Sequence, residues 1–250
     1  MGRIFASADW HGCGTIAKQV MDYLQPSDRL YFLGDAIDRG PDGIKILQML
    51  MHDRRVVFIR GNHEDMMFKT YRGGFEDRYV WYYNGNEDTE RDFDKLSKSE
   101  REEILDFIER MPIDWTYKTK DKTIRMSHAG YTPGIAFSFK DQYIWDRGHF
   151  YDKWQEDYED TYVIHGHTPV QYLKFEYGYE GIDDKEFVKE KLELKRQWME
   201  NGVIDWKPEV LFYCGGHKID IDMCTIASDR IALLDLNTFE CIYFDKKVED

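Results

Sequence analysis

Five short clusters of metal-ligand side chains punctuate the chain: Asp9 with His11, Asp35 with Asp38, Asn62 with His63, His128, and His165 with His167. Mixed Asp, Asn and His donors suit borderline divalent ions such as Mn²⁺, Fe²⁺ or Zn²⁺, whereas a structural zinc would call for thiolates. Asp9 and His11 are two apart, the spacing that projects both from one side of an extended strand end. One Asp or His at a strand end is ordinary structure. Five clusters of this kind point to a common site.

The elements that must position them follow from hydrophobic patterning. Arg3 to Ala8 reads as a strand, Thr15 to Leu24 as a helix, and Arg29 to Leu33 as a buried strand ending at Gly34-Asp35. Pro41 opens a helix whose apolar side is Ile44, Ile46, Leu47 and Leu50, and Val56 to Ile59 is a third strand closed by Gly61-Asn62-His63-Glu64. This is a βαβαβ pattern, and in such sheets ligands bind outside the carboxyl ends of the strands. Further strands are expected at Thr123–Ser127, Tyr162–Ile164, Val210–Tyr213, Ile219–Met223, Arg230–Leu236 and Glu240–Phe244, with a helix over Ser99–Met111 capped by Ser99 and Glu102. A single domain over 1–250 is predicted, with two insertions at about 71–99 and 171–207. The first reads as loop-rich with short helices; its aromatic run Tyr79-Val80-Trp81-Tyr82-Tyr83 suits either packing or recognition.

Lys+Arg 34 against Asp+Glu 48 leaves a net charge of −14, which repels phosphate backbones and anionic lipid. Neither nucleic acid nor membrane is therefore expected as a partner, and no apolar run approaches the ~18 residues of a membrane helix. An aromatic content of 16% excludes a disordered chain. Four scattered cysteines and the lack of a signal-like apolar segment suit a cytoplasmic protein. The composition says nothing of oligomeric state.

Asp9-Trp10-His11-Gly12, Gly34-Asp35-Ala36-Ile37-Asp38-Arg39-Gly40, Gly61-Asn62-His63-Glu64, His128-Ala129-Gly130 and Gly166-His167-Thr168 occur in that order, the first three about 25 residues apart. This series resembles the signature of the PPP-type metallophosphoesterases, the serine/threonine protein phosphatases and bacterial relatives including diadenosine tetraphosphatases. The resemblance is dense from Arg3 to Asn62, continues in pieces to Phe244 and skips both insertions.

It implies an α/β calcineurin-like sandwich of two mixed sheets flanked by helices, holding two divalent metal ions, Mn²⁺ first and Fe or Zn as alternatives. Asp9 and His11 would bind one ion, Asp35 would bridge, and Asn62, His128 and His167 would bind the other. His63 would be the general acid, oriented by Asp38, while a metal-bridging hydroxide attacks phosphorus in line. Arg39, Arg147 from Trp145-Asp146-Arg147, and Asn62 would contact phosphate. The function implied is hydrolysis of a phosphomonoester, on a phosphorylated peptide or protein or a small phosphoester. The alternatives are a dinucleoside polyphosphate hydrolase and a catalytically idle metal-binding interaction module.

Other signals weigh less. Gly12-Cys13-Gly14-Thr15-Ile16-Ala17 fits a dinucleotide fingerprint, but a pyrophosphate there would compete with Asp9 and His11. His165 reads as a satisfied strand-end histidine and His52 as a helix C-terminal residue, while His149 and His217 carry no assignment. The Lys/Glu run Lys185–Glu200 reads as a solvated face. Ile219-Asp220-Ile221-Asp222-Met223-Cys224 resembles the family's late Ile-Asp-Thr-Gly strand without settling which carboxylate matches.

Overall fold

A computed structural model describes residues 2–73, 75–134, 142–151, 154, 156–172 and 207–247. Its layering follows from side-chain alternation. In β1 (Ile4–Ser7), Phe5 enters one apolar cluster and Ala6 another. After α1 (Gly14–Tyr23), β2 (Arg29–Phe32) sends Leu30 and Phe32 to the first cluster and Tyr31 to the second. A strand buried on both faces must lie inside a covered sheet. The helices α1 and α2 (Gly43–Met51) cover one face, burying Ile16, Val20, Ile46, Leu47 and Leu50 against it.

Then come β3 (Val56–Phe58), α3 (Asn62–Arg72), α4 (Phe75–Tyr82), α5 (Glu87–Asp94) and α6 (Lys98–Arg110). Among the described residues there follow β4 (Asp114–Lys118), β5 (Thr123–Ser127), α7 (Gln142–Trp145), β6 (Thr161–His165), β7 (Leu211–Tyr213), β8 (Lys218–Asp220), α8 (Thr225–Ser228), β9 (Arg230–Asp235) and β10 (Cys241–Asp245). One sheet has the order β10-β9-β1-β2-β3, with β1, β2 and β3 parallel and β9 and β10 antiparallel. The other is β4-β5-β6-β8-β7, with β5, β6 and β8 parallel. Between them lies the second apolar cluster, combining Ala6, Leu33 and Leu234 with Ile124, Met126, Ile164 and Ile219. The expected pair of mixed sheets flanked by helices is the fold observed.

Three local expectations change. Asp114–Lys118, read from sequence as no element, is a short edge strand, mostly exposed, whose alternating Trp115 and Tyr117 pack on Tyr31. The capping box of α6 is Ser97 and Glu100, not Ser99 and Glu102: Glu100 N donates to Ser97 Oγ at 3.3 Å and Ser97 N to Glu100 Oε2 at 2.8 Å. Residues 75–94 are chiefly helical, pinned by the buried Trp81, Thr89 and Phe93. The second insertion lies almost wholly outside the described residues, as does the Lys185–Glu200 run.

Candidate active site

The carboxyl ends of β1, β2, β3, β5 and β6 converge, so both sheets deliver side chains to one edge. The loops there turn sharply. Among the described residues ten non-glycine residues have positive φ, and six of them are Asp9, His11, Asp35, Asp38, Arg39 and His167, at 40° to 69°. A left-handed non-glycine residue costs on the order of 1–3 kcal/mol and persists where surrounding bonds over-determine it. Asp9 N donates to Gly34 O and His11 N to Asp35 O, each at 3.0 Å, lacing the loop after β1 to that after β2. Glu64 braces the next turn, accepting from Asp35 N and Ala36 N at 2.8 Å and from Gly61 N at 3.1 Å. Burial and the nearby Asp35 push its carboxyl up to about 7. Two glycines allow the packing: a Cβ on Gly61 would lie 2.2 Å from Asp35 Oδ1, and one on Gly166 would lie 1.9 Å from Asp9 Oδ2.

Two overlapping groups of ligand-type side chains result, His11–Asp35–His63 and Asp35–His128–His167, all buried, the ligand atoms of each within 4.8 Å of one another. Asp35 belongs to both. Its Oδ2 lies 3.6 Å from His11 Nε2, 3.8 Å from His63 Nε2 and 3.3 Å from His128 Nε2. Burial alone would raise the Asp35 carboxyl, but His128, His63 and His11 outweigh it and hold it well below the carboxylate range. Asn62 Oδ1 sits 2.8 Å from His128 Nε2 and 3.0 Å from His167 Nδ1.

The donor set fits a cation. His128 Nδ1 donates to Leu33 O at 2.6 Å and its Nε2 faces Asn62 Oδ1 and Asp35 Oδ2; Asp35 outweighs burial and raises the His128 pKa, favouring a proton on Nε2 in the place a cation would take. His167 Nε2 is buried with no hydrogen-bond partner among the described residues. Burial lowers the His11 and His167 pKa values well below the usual range, which keeps both rings neutral and able to ligate.

Asp9 stands apart from the tighter trio. Its carboxylate accepts from His167 N at 3.1 and 3.2 Å, and its Oδ1 lies 4.0 Å from His11 Nε2. Burial, then Asp222 and Asp35, raise its pKa well above normal, the state a cation would reverse.

His63 Nδ1 donates to Asp38 Oδ2 at 2.6 Å, both side chains fully buried. The Arg39 guanidinium forks across two rings, with Nη1 donating to His11 Nε2 at 3.0 Å and Nη2 to His63 Nε2 at 3.1 Å. Arg147 is exposed, donates from Nε to Thr168 Oγ1 at 3.0 Å, and its charge contributes to the lowered His167 pKa. All ten sequence-derived site residues are thus at or beside one edge.

Several supporting residues carried no assignment. Asp38 Oδ2 also accepts from Trp81 Nε1 at 2.7 Å, Asp38 N donates to Thr89 Oγ1 at 2.9 Å, and Arg39 N donates to Gly85 O at 2.8 Å. The insertion therefore braces Asp38, and through it the His63–Asp38 pair, together with Arg39. Of the two late carboxylates, Asp222 feels the charges of Arg39, Asp35 and His128 and is pushed by burial up to about 6, whereas Asp220 accepts from Asp222 N at 3.0 Å and lies 3.9 Å from His165 Nδ1. His165 is satisfied, its ring bonding Gly166 O at 3.0 Å and the Tyr213 hydroxyl at 2.7 Å. His217 stacks on Trp154 at 4.8 Å, and His149 packs on Phe150 at 4.0 Å.

The profile of the calcineurin-like phosphoesterases matches residues 2–218, and the chain belongs to that family. An asymmetrical bis(5'-nucleosyl)-tetraphosphatase PrpE of Oceanobacillus iheyensis is 27% identical over 195 residues, 65% of this chain and 75% of that protein. Serine/threonine-protein phosphatase 2 of Salmonella typhimurium is 27% identical over 188 residues, 68% of this chain and 81% of its own. A Saccharomyces cerevisiae protein serine/threonine phosphatase with similarity to human phosphatase PP5 shares the fold, with a TM-score of 0.56 at 12% identity, covering 100% of this chain and 81% of its own. No helix among the described residues is long and apolar enough to cross a membrane.

Proposed function

We propose that this chain is a two-metal phosphoester hydrolase acting on phosphomonoesters, with a phosphorylated Ser or Thr side chain as the substrate class. The observation that carries the reading is Asp35 standing in both ligand groups beside a fully buried His63–Asp38 pair. Asp9, His11 and Asp35 would hold one cation and Asp35, Asn62, His128 and His167 the other, with Mn²⁺ suited to this N/O donor set and Fe or Zn as alternatives. Bound there, such ions supply Lewis acidity toward phosphoryl oxygens and an activated water at neutral pH.

The protein's own residues do the rest. Arg39 and Arg147 turn their guanidinium forks onto the phosphoryl oxygens and hold phosphorus in line. Once Arg39 has turned from His63 Nε2 to the phosphoryl oxygens, a protonated His63 would give its Nε2 proton to the leaving oxygen as the ester P–O bond breaks. Asp38, hydrogen-bonded to Nδ1, fixes the orientation of the ring. His63 also stands in the His11–Asp35–His63 group, so its role as acid rather than ligand rests on the motif resemblance. A scaffold that only bound metal would not need that pair.

The second reading, cleavage of a dinucleoside tetraphosphate, is favoured by the name of the Oceanobacillus relative. Against it stands a chain of net charge −14, whose acidity repels so polyanionic a substrate. A product-resolved panel of phosphopeptides, small monoesters, diesters and diadenosine tetraphosphate with Mn²⁺ separates the two. Phosphate release from phosphopeptides at the highest kcat/KM is expected. Preference for the tetraphosphate overturns the substrate class, and no turnover of any ester overturns the hydrolase reading.

A further inference from the structure

The acid pair has a third member outside the motif series. Asp38 is fully buried, which raises its pKa; its Oδ2 takes two side-chain protons at short range, His63 Nδ1–H at 2.6 Å and Trp81 Nε1–H at 2.7 Å, and the Thr89 hydroxyl also acts on the carboxylate. Its Oδ1 is buried with no partner among the described residues. A carboxylate held through one oxygen has a rotation left, about the bond to Cγ, that would carry Oδ2 away from His63. Trp81 opposes that rotation from the other side. An indole N–H is a donor only, so it cannot compete with Asp38 for the imidazole proton. It also stabilises the ionised carboxylate in a dry site, where such a bond is worth more than in water.

The local fold aims this group inward. Trp81 is fully buried, while its helix neighbours Tyr79 and Tyr82 are each 54% exposed. Its ring packs edge-on against Tyr71, with centroids 6.0 Å apart, and Tyr71 in turn against Phe93 at 4.6 Å. The next turn of chain supplies Gly85 O to Arg39 N, and α5 supplies Thr89 Oγ1 to Asp38 N. Three separate contacts from residues 81–89 thus reach Asp38 and Arg39.

We propose that Trp81 is a positioning residue for the His63–Asp38 pair, so that the first insertion is part of the catalytic machinery. This rests on the hydrolase reading above. Trp81 touches no reacting atom; it acts by keeping Asp38 Oδ2 on His63 Nδ1 while the leaving oxygen is protonated.

The test uses the Mn²⁺-loaded enzyme and Trp81→Phe, which keeps an apolar ring and deletes the N–H. Turnover of phenyl phosphate, whose leaving group needs protonation, should fall about 10-fold, as expected for losing a hydrogen bond to a charged partner of a general acid. The loss with 4-nitrophenyl phosphate should be within about 2-fold, and KM and bound Mn²⁺ should be unchanged. In an Asp38→Asn background Trp81→Phe should add nothing further. An equal loss on both esters, or full additivity with Asp38→Asn, overturns the proposal. A wild type that hydrolyses neither ester overturns the hydrolase reading and the positioning role with it. Should Trp81→Phe fail to fold, ¹⁵N-indole spectra of wild type and Asp38→Asn decide: one of the seven tryptophan N–H resonances must move upfield. If none moves, the bond to Asp38 is not made and the proposal falls.

Discussion

The two sheets contribute unequally to their shared edge. The first sends Asp9, His11, Asp35, Asp38, Arg39, Asn62 and His63 from three adjacent parallel strands, and five of these seven sit in left-handed backbone. The second sends His128, His167 and Arg147 from more relaxed loops, His167 alone of the three being left-handed. The first sheet thus holds the Arg39 fork, the His63–Asp38 pair and the Asp9, His11, Asp35 and Asn62 side chains in one strained, hydrogen-bonded lattice. The second presents two rings and an exposed cation. In the proposed reading, chemistry that needs orientation is concentrated where backbone strain is over-determined, and the opposite sheet would close the ligand shell.

The comparison breaks most sharply at Asp35, the carboxylate both halves share. Asp35→Asn should release both ions and lower turnover by more than ~10³-fold, beyond what perturbing residues behind a metal shell costs. Metal analysis and phosphate release check it together. Retention of one ion at full occupancy would mean that the two halves bind independently.

His63→Asn probes the first sheet alone. Turnover should drop ~10²–10⁴-fold, the range of general acid–base groups, with both ions retained and the loss shrinking for leaving groups of low pKa. Loss of metal instead would place His63 among the ligands, as its proximity to His11 and Asp35 permits.

The two arginines then sharpen the contrast. Arg39 is held at both ends of its fork and by its own amide, whereas Arg147 is exposed with one side-chain bond. Arg39→Ala should therefore cost ~10²-fold in kcat/KM and Arg147→Ala ~10-fold, since Arg39 lies across both His11 and His63 at the centre of the site whereas Arg147 stands at its exposed rim. Equal losses would deny the inequality between the sheets.

The smallest effect lies far from the edge. Asp245, at the end of β10, accepts from Arg230 Nε at 2.8 Å, and this partner, with Lys207, holds its carboxyl at about 2. A folded-state pKa depressed below the unfolded value stabilises above about pH 4 and is lost as pH falls toward 2. The pair is partly solvated, so Asp245→Asn should lower stability at pH 7 by a fraction of ~1 kcal/mol and flatten the acid limb of a denaturation-midpoint curve. Activity should not change.

The same inequality governed what the sequence disclosed. Asp9 to His63 fall within one βαβαβ run, where each strand ends at its own motif, so period-two burial and polar punctuation coincide. His128 and His167 were legible only as histidines after short apolar runs. Trp81 was not, because an indole in an aromatic run looks the same whether it packs or donates, and only the turn of α4 aims it at Asp38. Asp222 was ambiguous with Asp220 because they are two residues apart on one extended segment. The observed strand β8 ends at Asp220, and beyond it Asp222 turns to the site. The edge strand β4 does alternate, Trp115 and Tyr117 both packing on Tyr31, but over only five residues with half of the pattern exposed it stood out little from a loop.

Most directly at stake is the claim that one carboxylate joins two metal groups. Elemental analysis of the Mn²⁺-saturated protein, combined with anomalous scattering from its crystals, measures this. Two ions per chain with Asp35 between them are predicted, the first adjoining Asp9 and His11 and the second Asn62, His128 and His167. A single ion, or two ions bridged by any residue other than Asp35, would contradict the account.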